Sequence, residues 1–176
     1  RRGHILPLIV KHLYQQKHAQ REYALYQIWE PDKVTWRPAP VGQLLFLPYI
    51  TGMNLEQARN TFKYFLAPTL FQMVSEVRAA WQRQWLQMLH QTAIVLRELH
   101  DHKIQHNDIK PSNIMITTPL FTQELIEPKV RLIDLGFGCM VHNNGNEAPK
   151  CGHQPPGGTK DYLAPEIDQE IGRAHV

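Results

Sequence analysis

With 176 residues, 43% of them hydrophobic and 20% charged, the chain has the make-up of a folded domain with its own core, not of a disordered tail. Its net charge of +3 comes from 19 basic and 16 acidic residues scattered without runs, so no basic nucleic-acid arm is expected. Cys139 and Cys151 form no CxxC pair and no disulfide framework, which suits a reducing, cytoplasmic compartment, and no apolar run approaches the ~20 residues of a bilayer span.

The chain opens on Arg1 and not on Met, so its own N-terminus is expected to lie upstream, which leaves room there for a signal peptide or anchor. Residues 5–14, ILPLIVKHLY, read as a turn at Pro7 entering a strand. YALYQIW (Tyr23 to Trp29) alternates and predicts a second strand, and EPDKVTWRPAP, with three prolines in eleven residues, predicts a loop. QLLFLPYI (Gln43 to Ile50) is a buried strand in which Pro48 removes one donor. Asn54 with Gln57 three positions on is a capping-box start for a helix that Pro68 ends. Phe71 to His100 is helical, with an apolar stripe of Leu86, Leu89, Ala93, Leu96 and Leu99, while Trp81 and Trp85 read as packing residues. Two short strands then flank IQHNDIKPSNIMI (Ile104 to Ile116), a third lies in KVRLID (Lys129 to Asp134), and TTPLFTQELIEP bulges between them as a surface loop. The order is α+β, without alternating βαβ units. The last six residues, IGRAHV (Ile171 to Val176), resemble a translated sequencing adapter and are expected to be a non-native tail.

The stretch from Ile104 to Ile116 gathers a His, two Asn, an Asp and a Lys between hydrophobic runs. Polar groups beside a core need partners, so such a cluster is a candidate site. His106, Asp108, Lys110 and Asn113 stand in the pattern H-x-D-x-K-x-x-N, Asp134 and Gly136 follow in LIDLGFG, and GTKDYLAPE (Gly158 to Glu166) closes the set. In these motifs the chain resembles the protein kinase family: the catalytic loop is His106 to Asn113, the D-F-G motif is Asp134-Leu135-Gly136, and A-P-E is Ala164-Pro165-Glu166.

The resemblance implies the chemistry. Asp108 is the base that receives the substrate hydroxyl's proton, Lys110 offsets charge on the transferred phosphoryl group, and Asn113 and Asp134 are hard oxygen ligands for Mg²⁺. Gly136 permits the bend after the metal ligand, and His106 is structural. Lys110, together with Thr159 set to bond near Asp108 and Lys110, marks the serine/threonine type. LFLPYITGMNL resembles the hinge between the two lobes, with Leu47 as gatekeeper, the Pro48 carbonyl and Ile50 N–H toward adenine, and Asn54 near the ribose. ATP, Mg²⁺ and a protein substrate are the implied partners, with no nucleic acid and no membrane segment.

The chain also departs from the family pattern. Asn107 replaces the Arg that pairs with an activation-segment phosphate, and from Asp134 to Glu166 the only hydroxyl side chains are Thr159 and Tyr162. An enzyme not switched by phosphorylation of this segment is expected. Cys139, His142, Cys151 and His153 allow zinc crosslinking as a minor reading. On this alignment LPLIVKHLY is the turn and strand after helix C, so the chain is expected to begin near the end of that helix, without a Gly-rich loop or a strand Lys. The expected organisation is a truncated two-lobe kinase fold: residues 1–48 as a remnant of the β lobe, 49–170 as the hinge and part of the helical lobe, and 171–176 as the tail. Such a fragment is expected to be inactive by itself, its parent being a serine/threonine kinase. A pseudokinase scaffold is the second reading and a small-molecule phosphotransferase the third.

Overall fold

The computed structural model describes residues 7–31, 33–38, 42–63, 75–118, 127–141, 148–152, 157–163 and 165. Two units emerge from the packing, Arg1–Tyr49 with Leu99–Asp108 and Asp134–Val176 in the first, and Ile50–Glu98 with Ile109–Ile133 in the second.

In the first unit, the β-branched and apolar run after Pro7 forms β1 (Leu8–Leu13). It pairs antiparallel with β3 (Gln43–Pro48), which also pairs with β2 (Thr35–Pro38), so the order is β1-β3-β2. Strand β2 lies inside the expected loop: Val34 and Thr35 favour extended backbone, and Pro38 is tolerated because it ends an edge strand. Between β1 and β2 runs α1 (Gln16–Trp29), which corrects the strand expected over Tyr23 to Trp29. The alternation there is local, whereas the buried residues Ala19, Glu22, Leu25 and Tyr26 follow three- and four-residue steps that begin upstream of it. Gln27 Nε2 donates to the Val34 carbonyl at 3.1 Å and ties the helix to the start of β2. The core of this unit includes Ala19, Leu25, Val34, Leu45, Leu99, Ile104 and Leu135. A two-stranded ribbon joins β5 (Ile104–Gln105) to β8 (Cys139–Met140), pairing Ile104 with Met140 and Gln105 with Cys139.

In the second unit, β4 (Met53–Asn54), β6 (Ile114–Ile116) and β7 (Val130–Leu132) form an antiparallel sheet in the order β4-β6-β7. The short strands on either side of the polar stretch are therefore β5 and β6, and β7 falls within Lys129 to Asp134. Helix α2 (Leu55–Thr61) starts with a full capping box: Asn54 Oδ1 accepts from the Gln57 N–H at 2.8 Å, and the Asn54 N–H donates to Gln57 Oε1 at 2.9 Å. The stretch leading to Pro68, and most of the loop expected between β6 and β7, lie outside the described residues.

Helix α3 (Ser75–Asp101) bears out the long helix, but of the expected apolar stripe only Leu99 is fully buried. Leu86 and Leu89 are 66% and 60% exposed, and Ala93 is exposed as well. The buried positions are Trp81, Gln84, Met88, Thr92 and Leu99. Met88 packs with Ala58 and Ile116, with Trp85, Met53 and Leu55 around them. Thr92 tolerates burial because its hydroxyl donates to the Met88 carbonyl at 2.8 Å. A leucine count misplaces most of that face because Gln84, Met88 and Thr92 carry the middle of the inward line.

Two substitutions in α3 separate the faces. Met88→Ala is expected to cost about 2–5 kcal/mol in urea unfolding, whereas Leu86→Ala stays within about 0.5 kcal/mol.

Candidate active site

The site begins with a residue the motifs did not reveal. Lys11, in the middle of β1, places Nζ 2.7 Å from Glu22 Oε2 on α1 and 2.8 Å from Asp134 Oδ1. A strand Lys is therefore present and followed by a helix that supplies its carboxylate, which corrects the expectation that the chain starts near the end of helix C. The Glu22 side chain is only 1% exposed, those of Lys11 and Asp134 30% and 42%. Burial disfavours the Lys11 charge, but Glu22 and Asp134 outweigh it and hold the ammonium pKa above its ordinary value. Burial pushes the Glu22 carboxyl up despite the opposing pull of Lys11. Burial also works against the Asp134 carboxylate, yet the bond and charge of Lys11 with the Gly136 N–H keep its pKa low.

Asp134 is held from three sides. Its backbone has a φ of 66°, in the left-handed region. Its N–H donates to the Tyr26 hydroxyl at 3.1 Å, and its Oδ1 accepts from the Gly136 N–H at 3.2 Å. Tyr26 lies one helical turn after Glu22, so one face of α1 supplies both contacts; burial raises its hydroxyl pKa well above the phenol range. A Cβ at Gly136 would stand 3.1 Å from Asp134 Oδ1 and 3.5 Å from Lys11 Nζ, so a side chain there would crowd the ion pair.

The chain leaves β5 into the polar stretch with His106 and Asp108 both buried, at 2% and 3% exposure. His106 Nδ1 accepts from the Asp108 N–H at 3.3 Å, which gives the imidazole a local structural bond. Thr159 donates to Asp108 Oδ1 through both its N–H and its hydroxyl, each at 2.8 Å. Gly158 makes this approach possible. Its φ is 141°, and a Cβ there would come within 2.7 Å of the Asn107 carbonyl. Asn107, also left-handed at a φ of 62°, donates from Nδ2 to the Phe137 carbonyl and to Cys139 Sγ, each at 3.1 Å.

In the second unit Lys110 is half-buried and precedes a 3-10 turn at Pro111–Asn113. The Asn113 N–H donates to the Lys110 carbonyl at 2.9 Å, and its carbonyl accepts from the Ile133 N–H at 3.0 Å. Asn113 is 5% exposed. Of the residues expected at a hinge, Leu47 and Pro48 end β3 opposite Ile9 and Leu8, and the Tyr49 N–H donates to the Pro7 carbonyl at 3.0 Å. Ile50 opens the second unit and is half-buried, while Asn54 commits its side-chain oxygen to the α2 cap.

Cys139 and Cys151 are joined in a disulfide, which corrects the reading of two unlinked cysteines. Bonded sulfurs are not thiolate ligands, so this state of the protein has no Cys pair for zinc. His142 and His153 lie outside the described residues, and among the described residues no cluster of three or more His, Cys, Asp or Glu is arranged for a metal.

A family model described as the protein kinase domain matches residues 54–174. The chain belongs to the protein kinase family. As a kinase it is similar to the probable dual specificity protein kinase madd-3 of Caenorhabditis elegans, 32% identical over 98 residues, which is 51% of this chain and 10% of that protein. It is 28% identical over 130 residues to the serine/threonine-protein kinase CG17528 of Drosophila melanogaster, covering 71% of this chain and 16% of the relative. The serine/threonine-protein kinase GD17699 of Drosophila simulans matches to the same extent. The chain thus spans only 10% to 16% of the length of these relatives. The residues matched by the family model start after β3 and do not include Lys11, Glu22 or Tyr26. The sequence signal they did offer was a lone Lys inside the apolar run LIVKHL, with an acid eleven residues later.

The shifts fix the sign of a pH test. Asp134, held low, lends stability above the ordinary carboxylate range and loses it as pH falls through its folded pKa. Lys11, held high, lends stability below the ordinary amine range and loses it as pH rises through its folded pKa. Glu22, held high by burial, favours the fold when protonated. Lys11→Met leaves Glu22 without its counter-charge, so folding takes up a proton. The variant should lose about 3 kcal/mol at neutral pH and regain stability more steeply than the parent between about pH 8 and 5, read from urea unfolding at each pH.

Proposed function

We propose that the parent protein is a serine/threonine protein kinase that transfers the γ-phosphate of ATP to a protein hydroxyl. The observation that carries this reading is the Lys11 bridge between Glu22 and Asp134, in a unit that also holds Asp108 beside Thr159. A Lys fixed between a helix carboxylate and the D-F-G-type Asp is pre-oriented to grip nucleotide phosphates. The substrate hydroxyl oxygen bonds to the γ-phosphorus as the bond to the β–γ bridging oxygen breaks, and Asp108 takes the proton. Thr159 fixes the Asp108 carboxylate, and Lys110 offsets the charge on the transferred group.

The donor chemistry of Asp134 and Asn113 fits Mg²⁺, one carboxylate and one amide oxygen, both hard ligands. The bonds from Lys11 and Gly136 both fall on Asp134 Oδ1, so Oδ2 is the oxygen assigned to the cation. Bound there, Mg²⁺ would neutralise phosphate charge. For the nucleotide base the reading assigns Leu47, the Pro48 carbonyl and the Ile50 N–H. A ribose contact from Asn54 would use its side-chain NH₂, because Oδ1 caps α2.

Serine/threonine preference is supported by the Lys110 and Thr159 pattern and by the names of the Drosophila relatives. The presence of Lys11 on a strand, bridged to Glu22 and Asp134, favours the enzyme over a pseudokinase scaffold. A cytoplasmic location is proposed from the use of ATP alone, since the bonded cysteines no longer argue for it. The segment after Asp134 is proposed not to be switched by phosphorylation: its Thr159 hydroxyl is already given to Asp108.

The test is radiolabelled ATP transfer to protein acceptors by the full-length parent. Asp108→Ala should lower kcat about 10²–10⁴-fold with little change in the KM for ATP. A parent that labels no protein acceptor, or an Asp108→Ala variant as active as the parent, would overturn the assignment.

A further inference from the structure

We propose that the Cys139–Cys151 disulfide is a reducible clasp that holds the segment after Asp134 against the catalytic loop, so that phosphoryl transfer depends on thiol redox state. This rests on the kinase reading above and adds a means of control to it.

The clasp is built from several separate contacts. Strand β8, which carries Cys139, pairs with β5 immediately before His106 and Asp108. The returning chain lies on β8: the Met140 N–H donates to the Pro149 carbonyl at 2.7 Å, and the Cys151 N–H to the Met140 carbonyl at 2.9 Å. Across these two arms stands the disulfide, closing a sequence separation of 12. Asn107, the residue before Asp108, donates to the Cys139 sulfur and to the Phe137 carbonyl. Phe137 in turn lies against Gly157, where a Cβ would meet its ring at 2.6 Å. Two residues further on, Thr159 bonds to Asp108. The disulfide sulfur is thus one contact from the backbone of the proposed base, on a segment whose described residues contain no hydroxyl side chain except Thr159 and Tyr162.

Cys139 is 5% exposed and Cys151 is half-buried, so the Cys151 sulfur is assigned as the one a reductant attacks. A dithiol reductant supplies the two electrons. Its first thiolate bonds to the Cys151 sulfur, the S–S bond breaks, and Cys139 leaves as a thiolate that takes a proton. Its second thiolate then displaces Cys151 as a thiol and closes the reductant's own disulfide. The products are two cysteine thiols and one oxidised dithiol. Without the crosslink the short pairing of 149–151 on β8 must hold the loop closed by itself, and the grip on Asn107 and Thr159 weakens with it.

The experiment equilibrates the full-length protein in buffers of reduced and oxidised dithiothreitol. Differential alkylation and mass spectrometry report the pairing of Cys139 with Cys151, hydrogen exchange reports the amides of Met140, Cys151 and Thr159, and radiolabelled ATP reports transfer. On reduction, exchange at these amides should rise about tenfold or more and transfer should fall several-fold, both returning on reoxidation. The Cys139→Ser, Cys151→Ser double variant should behave like the reduced protein and ignore redox state; return of the unmodified protein on reoxidation guards against a variant that merely misfolds. Verified reduction with exchange and transfer both unchanged would overturn the proposal, as would two freely alkylated cysteines in the oxidised protein. Equal transfer in both states would remove the control and leave the kinase reading standing. A redox-responsive exchange with no transfer in either state would sink the kinase reading and keep the clasp.

Discussion

A buried carboxylate needs a counter-charge, and in this chain Glu22 finds it in Lys11. That one requirement draws together β1, α1 and the turn after β7, because Lys11 also reaches Asp134, 123 residues away in sequence. Neighbouring features follow from the same pair. Gly136 must lack a side chain to spare the ion pair, and Tyr26, a turn below Glu22, takes up the backbone N–H that the left-handed Asp134 turns toward it. Remove the ammonium and the carboxyl that burial already pushes up has no reason to stay charged.

The second half of the same unit solves a related problem with neutral donors. Asp108 is almost fully buried, and Thr159 answers it with a backbone and a side-chain donor on one oxygen, while His106 receives the Asp108 N–H. Each partner comes from a different stretch of chain, and each approach needs a special backbone: Asn107 left-handed, Gly158 at a φ that side chains avoid. Within residues 104–116 the buried Asp108 is thus matched by donors from Thr159, Asn107 donates back to Phe137 and Cys139, and Cys139 is bonded to Cys151 in the same segment.

Much of this is legible in the order of residues alone. Asn54 and Gln57 announce the α2 cap because a capping box is closed within four residues. Likewise, β-branched and apolar runs announce β1 and β3, and motif spacing draws attention to Asp108, Lys110, Asn113, Asp134 and Thr159. The errors have one source. Over Tyr23 to Trp29 a short alternation outvotes the longer period of α1, and in α3 Leu86 and Leu89 mark a face that points outward. Both choices depend on what packs against the helix, which no local window contains.

Local chemistry along the chain was enough to place the strand runs and the helix start, since caps, turns and periodicities are interactions between residues a few positions apart, and the motif spacing carried the family resemblance. The partner of Lys11, the inward face of α3, the bond between Cys139 and Cys151 and the double donation from Thr159 to Asp108 were decided only by the tertiary structure. Each joins residues whose separation in sequence says nothing about their distance in space, and each is held there by burial, which makes an unpaired charge or donor too costly to leave alone.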